Sequence, residues 1–464
     1  NFNWNWFFSK FKLKSSKNKN SKLDDFINNP NKSLWDLAIP MMFGMMVQTI
    51  YSLVDMIFVG MVGSNSLTAL AFNLPILFFG MGLVFGLGSG VTAVIAQYIG
   101  SNDLEKANNS AQQSIYMGLI IGFILTFVGL VFGKEILKFL GTPLNILPLA
   151  WNYFKIIVSA YVFIVMSIFF RSIFSGEGDM KTPMIVGGIG TILNIILDPI
   201  FIFSLKMGVE GAALATVVSQ IFVSLIFTYL LLIKKYSFIK ISLSLYKFSF
   251  KILLKIIKIG LPASFSMIIM SIGGASFNRI LVEFSSDAVA AFQIGIRLDH
   301  VFLIPAISIS TSVVTLVGMF YGAKKFNLVK QITFYAIRST ILIGIIIGFL
   351  FFIFSDNIVS VFSDNINIQK ISSQYLRYFV FGYPFVAISM ISGRAMQGLG
   401  KGIPMLILTL LRVLVISLAF SFFFVFFLNK SIEWVWISQV ISVIFSSFIA
   451  WLWLKYVFKK IFRK

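Results

Sequence analysis

The sequence contains no cysteine, one histidine and few charged residues. Without cysteine there can be no disulfide, iron–sulfur cluster or thiolate metal site, and the single histidine, His300, excludes a histidine-rich metal site. Only 12% of the residues are charged, whereas soluble proteins carry about 25%. No HExxH, nucleophile-elbow or phosphate-loop motif is present. We therefore expect neither an enzyme nor an ATP-driven protein, and no cofactor.

Long apolar runs fill most of the chain, which has a mean hydropathy of +0.92 and 58% hydrophobic residues. A membrane-spanning helix needs about 20 mainly apolar residues, and the runs exceed this length. The sequence predicts an all-α integral membrane protein of twelve spans. Their predicted ranges are 34–60, 67–99, 107–133, 148–175, 183–205, 209–234, 256–283, 287–320, 328–355, 370–394, 402–429 and 431–458.

The two halves of the chain resemble each other at an offset of 220–222 residues. "LAIPMMFGMM" (37–46) pairs with "IGLPASFSMI" (259–268), and "SGEGDMKTPM" (175–184) pairs with "QGLGKGIPM" (397–405). A repeat of six helices keeps one orientation in both copies, which is the plan of many secondary transporters. We predict two pseudo-symmetric six-helix bundles with a cleft between them. The predicted divisions are a basic segment 1–33, an N-lobe 34–234, a basic linker 235–255, a C-lobe 256–458 and a tail 459–464.

Lysine is unevenly placed in this strongly basic chain, whose net charge is +21. With twelve spans, the basic N-terminal segment, linker and tail all fall on one side, and positive charge marks the cytoplasmic side. We therefore expect a multi-pass protein of the cell (plasma or inner) membrane with both termini in the cytoplasm. The charge indicates this topology and not a nucleic-acid partner.

In the first half, two aspartates lie well inside predicted spans, where a charge is costly and calls for a reason. Asp55 is in the first span and Asp198 in the fifth, "NIILDPIFIF", and both lie roughly 8–10 Å below the outer surface. Asn194 shares a helix face with Asp198, while Thr216 and Tyr153 reach a similar depth. Such oxygen ligands suit a hard cation, and paired carboxylates also suit a proton relay.

A purely structural role for these acids is the alternative, in which each carboxylate accepts hydrogen bonds between helices. The repeat places Phe277 at the position of Asp55 and Ala419 at that of Asp198. Because the second half lacks both acids, the fold alone does not require them. We predict one cation or proton site, in the N-lobe.

The second half carries its own polar group, "IGIRLDHVFLIP", with Arg297, Asp299 and His300. Asp299 lies near mid-membrane, and two interpretations stay open: an ion pair between helices, or a role with substrate or protons. Two interpretations of His300 are also open, a role with protons or a packed hydrogen-bond donor. Together with Asn73 and Met45, a flexible thioether suited to a permissive surface, these residues are the candidates for a substrate cavity.

The chain resembles the multidrug and toxic compound extrusion (MATE) family, particularly its DinF-like prokaryotic branch. The resemblance rests on "IPMMFGMMVQTIYSLVDMIFVG", "AVIAQYIGSNDLEKA", "GEGDMKTPM", "LNIILDPIFIF", "GVEGAALAT" and "IGIRLDHVFLIP", and covers nearly the whole chain from about residue 34. It implies a MATE fold and alternating access. It also implies an N-lobe cation or proton site at Asp55 and Asp198, supported by Asn194 and Thr216 and less closely by Tyr153.

The function implied by this resemblance is secondary antiport, in which H⁺ or Na⁺ entry drives export of organic cations, drugs or other amphipathic compounds. If Na⁺ is the coupling ion, Asp55, Asp198, Asn194 and Thr216 would be its ligands. Ser52 replaces an asparagine of many relatives, which leaves the ion open. The alternative is a flippase for lipid-linked oligosaccharides or lipid precursors. As partners we expect a small substrate and membrane lipid, with the protein acting as a monomer.

Overall fold

The computed structural model describes residues 19–241 and 248–462, which form helices and turns without β-strands. Eleven helices in this part are long and apolar enough to span a membrane, and a broken pair bent by 49° makes a twelfth. This confirms the predicted all-α membrane fold. A short helix, Lys19–Asn28, precedes the spans.

The spans are labelled α1 to α12. In the N-lobe they are α1 Pro30–Val62, α2 Ser64–Gly100, α3 Leu104–Phe139, α4 (the broken pair Leu147–Ser159 and Tyr161–Gly176), α5 Lys181–Ser204 and α6 Gly208–Ile233. In the C-lobe they are α7 Phe250–Val282, α8 Ser286–Gly322, α9 Phe326–Ser360, α10 Ile366–Gly398, α11 Ile403–Phe427 and α12 Glu433–Phe462.

Helix α7 begins six residues before its predicted start, inside the predicted linker. The side chain of Ser249 accepts a hydrogen bond from the backbone N–H of Ile252, and such a cap satisfies one of the free donors at a helix start. The first linker residues pack on the N-lobe: Ser237 donates a hydrogen bond to Glu177, and Lys240 N–H donates to Asn108 Oδ1 (2.9 Å). Burial raises the pKa of Glu177, just beyond the end of α4, to about 8.

The backbone repeats its irregularities at the offset seen in the sequence. Left-handed residues occur at Asn102 (φ 60°) and Lys324 (φ 58°), which are 222 positions apart, and at Gly178 and Gly400, also 222 apart. A π-helical turn at Ile200–Ser204 in α5 has a counterpart at Phe423–Phe427 in α11. Because left-handed backbone is uncommon in non-glycine residues, the matched positions show that the halves share one local fold.

The two lobes meet near one end of the spans, here called the basic end because Lys106, Lys255, Lys324, Lys401 and Lys459 lie there. Gln97 Nε2 of α2 donates to the carbonyl of Gly398 at the end of α10 (2.8 Å). Thr315 Oγ1 of α8 donates to the carbonyl of Ser175 at the end of α4 (3.0 Å). Each lobe thus satisfies a free carbonyl at a helix terminus of the other.

A cleft opens between the lobes toward the opposite end. Helix α1 borders it, packing against α5 of its own lobe and α8 of the other. Its residues Met45, Thr49, Ser52 and Met56 recur at intervals of three and four, so they share one helix face. Thr49, Ser52 and Met56 are exposed, while Met45 Sδ lies 3.6 Å from Ser308 Oγ of α8. The exposed positions lie beyond this contact, on the side away from the basic end, so we take this face of α1 as the N-lobe border of the cleft.

Candidate functional site

Four helices of the N-lobe bring together the polar residues predicted for the cation site. Asp55 comes from α1, Asp198 from α5, Thr216 from α6 and Tyr153 from α4, and these helices pack against one another. Asp198 is fully buried and Tyr153 is 7% exposed. The carboxylates of Asp55 and Asp198 are close enough to interact electrostatically, and both act on the Tyr153 hydroxyl. Residues about 160 positions apart in sequence thus form one cluster.

The two carboxylates are only partly satisfied by the protein. Asn194 Nδ2 donates a hydrogen bond to Asp198 Oδ1 at 3.0 Å, as expected for residues four apart on one helix face. Asp198 Oδ2 and Asp55 Oδ1 are both buried and accept no hydrogen bond from the described residues. Buried carboxylate oxygens are usually hydrogen-bonded, because an unmet one costs about 1–3 kcal/mol. These two oxygens leave the cluster with acceptor positions that a proton or a cation could occupy.

Tyr51 belongs to the same cluster and was missed in the sequence analysis. Its hydroxyl lies 3.5 Å from Thr216 Oγ1, and it interacts electrostatically with both aspartates and with Tyr153. The available signal was its position four residues before Asp55, which places the two side chains on one face of α1. Tyr51 therefore ties α1 to α6 beside the carboxylates.

Two aromatic side chains meet close to the cluster, toward the end of the spans away from the basic end. Phe58 of α1 and Phe203 of α5 meet edge to face, with ring centroids 6.1 Å apart. Phe203 lies in the π-helical turn that follows Pro199, which has no N–H for the regular helix pattern. Such turns often occur at functional sites. The irregular backbone begins at Ile200, two residues after Asp198, and places Phe203 against Phe58.

The chemistry of the donor set fits a proton or a monovalent hard cation. The available groups are carboxylate, amide and hydroxyl oxygens, which hard cations prefer. Within the described residues there is no group of three or more His, Cys, Asp or Glu side chains that would hold a divalent metal ion. Two neighbouring carboxylates can share one proton, since like charges at short range oppose full ionisation of both. The geometry is compatible with either coupling ion.

Asp299 lies inside the C-lobe and not on the cleft wall. Its carboxylate accepts hydrogen bonds from Tyr375 Oη (2.6 Å) and Tyr383 Oη (2.7 Å), both on α10. The ring of Phe302 stacks on Tyr383 with centroids 4.5 Å apart. This arrangement corrects the predicted ion pair, because the partners of Asp299 are tyrosines and not a basic residue. The buried position of Asp299 (6% exposed) places it away from the cleft surface, while a role with protons stays a prediction.

Replacement of Asp299 tests this structural role. Asp299→Ala leaves two buried hydroxyls without their acceptor, at about 1–3 kcal/mol each, so thermal unfolding of the purified protein should begin at a clearly lower temperature. Asp299→Asn keeps one acceptor oxygen, so its unfolding temperature should fall less than that of Asp299→Ala. In both variants the KM for transported substrate should stay near the wild-type value. A stable Asp299→Asn protein with a strongly raised KM would instead indicate substrate contact.

The remaining cavity candidates divide between the lobe interior and the cleft. Asn73 is fully buried and donates to the carbonyls of Ala69 (2.8 Å) and Ala150 (3.0 Å), so it ties α2 to α4 and does not line the cavity. Arg297 and His300 are exposed on α8. Met45 marks the base of the cleft, at its contact with Ser308.

Comparison with known proteins shows the same architecture elsewhere. The family described as MatE matches this chain twice, at residues 40–200 and 262–423, which repeats the offset between the lobes. The probable multidrug resistance protein NorM of Thermotoga maritima is 27% identical over 424 residues, covering 90% of each chain.

Two solved structures superpose on nearly the whole chain. A MOP superfamily transporter from Pyrococcus furiosus, described as having a reverse polarity of its binding pocket that suggests a different function, is 30% identical with a TM-score of 0.90. The superposition covers 96% of the Pyrococcus furiosus chain and 93% of this chain. The outward-facing conformation of a multidrug resistance MATE family transporter gives the same identity, TM-score and coverage. The matches thus extend over both lobes, in sequence and in fold.

Proposed function

The chain belongs to the MatE family and is a multi-pass membrane transporter of the multidrug-efflux type, and we propose that it works as a cation-coupled antiporter. In this proposal H⁺ or Na⁺ binds between Asp55 and Asp198 and drives the export of amphipathic compounds, including organic cations, by alternating access. The observation that carries it is the pair of buried carboxylate oxygens that accept no hydrogen bond from the described residues.

We infer the coupling from the helices that the site joins. Helix α1 carries Asp55 and Tyr51 and borders the cleft, while α5 carries Asp198 and packs inside the N-lobe. An ion or proton bound by both carboxylates neutralises their repulsion and holds α1 against α5. Loss of the ion restores the repulsion and favours movement of α1. A ligand shifts such an equilibrium only through its different affinity for the two states, and this site provides that difference.

The direction of transport follows from the charges. We place the basic end in the cytoplasm, because lysine-rich loops are retained there. The cleft would then open to the outside, and the coupling ion would reach the carboxylates from the side of higher electrochemical potential. Closure at the basic end by Gln97 and Thr315 would prevent a leak during this step.

Transport in proteoliposomes with separately imposed gradients tests the proposal. Protein-containing vesicles loaded with a fluorescent amphipathic dye are diluted into buffers that impose a pH gradient, a Na⁺ gradient or neither. We expect one ion gradient to accelerate dye movement, with collapse by the matching ionophore. Equal rates of dye movement in all three buffers would show that the pathway is passive and would contradict the proposed coupling.

A further inference from the structure

The C-lobe wall of the cleft can be traced along two helix faces. On α7, one helix face contains Met267, Ser271, Gly274 and Asn278, which recur at helical spacing. A Cβ added to Gly82 of the N-lobe would lie 3.2 Å from Met267 Cβ. A Cβ added to Gly274 would meet no atom within 4 Å. This face thus begins at a contact between lobes and continues into open space. At its far part the Asn278 Oδ1 accepts a hydrogen bond from Gln293 Nε2 of α8 (3.1 Å).

On α8 the corresponding face contains Gln293, Arg297, Ile304 and Ser308. Ser308, which touches Met45 of the N-lobe, is eleven residues from Arg297, which is three helical turns and roughly 16 Å. Arg297 therefore lies on the side of α8 that faces the N-lobe, between the base of the cleft and the amide pair of Gln293 and Asn278. Its side chain is exposed at this point.

The positive charge of Arg297 is not neutralised by a neighbouring acid in the described part of the chain. Ion pairs there use Lys106, Lys138, Arg279 and Arg377. Asp299, two residues along, is on the opposite side of α8 and is held by two tyrosines. Near the outer end of α7, Glu283 pairs with Arg279 at 2.9 Å. Each of these acids is thus either bonded elsewhere or turned away from the guanidinium.

The other cleft-facing groups add no negative charge. The face of α1 presents Met45, Thr49, Ser52 and Met56, all uncharged. His300 lies close to Arg297 on the exposed side of α8, and its Nδ1 must donate to the Ile296 carbonyl (2.8 Å), since a carbonyl only accepts. One ring nitrogen of His300 is therefore already used within α8. Arg297 is the arginine of this wall, and its guanidinium always carries its charge.

We propose that Arg297 is a specificity residue of the cleft and that it selects amphipathic substrates with an anionic head, a carboxylate or a phosphate. The apolar methionines and Ile304 would contact the hydrophobic body, and the guanidinium would bind the two oxygens of the head as a fork. This inference rests on the proposed transport function and narrows its substrate class away from organic cations. The same head chemistry occurs in soluble amphiphiles and in anionic lipids.

Paired probes of opposite charge test the proposal in proteoliposomes energised as above. The soluble probes are carboxyfluorescein, which is anionic, and rhodamine 123, which is cationic; the lipid probe is fluorescently labelled phosphatidylglycerol, with labelled phosphatidylcholine as its control. We expect the wild type to move an anionic probe faster than its counterpart. Arg297→Gln should lower the anionic rate about tenfold, the scale of one lost charged hydrogen bond, without lowering the rhodamine rate. Arg297→Glu should reverse the preference.

Two further variants guard against an indirect effect. Arg297→Lys keeps the charge and should keep the preference for anionic probes. Arg279→Gln removes a neighbouring arginine that already pairs with Glu283, and it should leave that preference unchanged. If only the carboxyfluorescein rate depends on Arg297, the substrates are soluble amphiphiles. If only the phosphatidylglycerol rate depends on it, the substrates are lipids. Either result supports the proposal.

The outcomes separate this inference from the transport proposal. If ion gradients drive transport and Arg297→Gln changes anionic and cationic rates equally, or neither, the inference on substrate charge is wrong and coupled transport stands. If no gradient drives any probe in the wild type, the proposed function itself is wrong, and the specificity proposal with it.

Discussion

Asp55→Asn and Asp198→Asn are each expected to reduce ion-driven efflux to the level of protein-free vesicles. Both carboxylates take part in the proposed cation site. An amide neither takes up nor releases a proton near neutral pH, and it lacks the negative charge that holds a cation. The fold should persist, because Asp55 Oδ1 and Asp198 Oδ2 make no hydrogen bond within the described residues that the substitution would break. Initial dye efflux under an imposed gradient, with thermal unfolding in parallel, measures both effects.

The matched control for these variants is Asp356→Asn. Asp356 lies near the end of α9 and pairs with Arg377 of α10 at 2.7 Å, away from the N-lobe cluster. The substitution Asp356→Asn removes the same charge from an exposed ion pair. Such a pair typically contributes less than about 1 kcal/mol to stability, so the efflux rate should remain close to that of the wild type. Equal losses in all three variants would assign the effect to stability, and wild-type efflux by Asp55→Asn and Asp198→Asn would rule out the site.

Gly322→Ala is expected to impair transport nearly as strongly, through the contact between the lobes. A Cβ at Gly322 would lie 2.0 Å from the carbonyl oxygen of Gln97, and one at Gly100 would lie 1.9 Å from that of Met319. Real carbon–oxygen contacts are far longer, and here the neighbour is backbone and cannot rotate away. The methyl group should force α2 and α8 apart at the basic end and depopulate the state in which the cleft opens at the other end.

The absence of cysteine makes this change directly measurable. Spin labels at Ser101→Cys and Lys325→Cys, both exposed at the basic end, report the separation of the lobes by electron paramagnetic resonance. Gly322→Ala should lengthen the main distance, with transport falling by about tenfold or more. Gly188→Ala is the control, since its Cβ would meet nothing within 4 Å. An unchanged distance distribution together with normal transport would contradict the closed contact at the basic end.

Local patterns in the sequence predicted the spans, the repeat and the members of the N-lobe cluster other than Tyr51. The predictions worked where a short range of residues carries the information: runs of apolar residues set the spans, and the spacing of Asn194 and Asp198 placed both on one face, as their 3.0 Å hydrogen bond shows. Helix starts were less well placed. The start of α7 depends on the cap by Ser249, which an apolar run does not reveal.

Partners that are distant in sequence were beyond such patterns. Asp299 meets Tyr375 and Tyr383, which are 76 and 84 residues away, so its burial between tyrosines depends on how α8 packs against α10. Gln97 reaches Gly398 across 301 positions. Asn73 was expected at the substrate cavity, but its amide donates to the carbonyls of Ala69 and Ala150, because its direction follows from the packing of α2 on α4. Tertiary contacts thus decided which polar residues line the cleft.

The most direct test of the proposed coupling site is ion movement driven by substrate. Vesicles without any ion gradient receive a substrate that the wild type transports, and internal H⁺ and Na⁺ are followed with indicator dyes. We predict that the substrate gradient drives a flux of one of these ions in the opposite direction, and that this flux disappears in Asp198→Asn. An equal ion flux in wild type and Asp198→Asn, with substrate moving in both, would show that the coupling ion binds elsewhere.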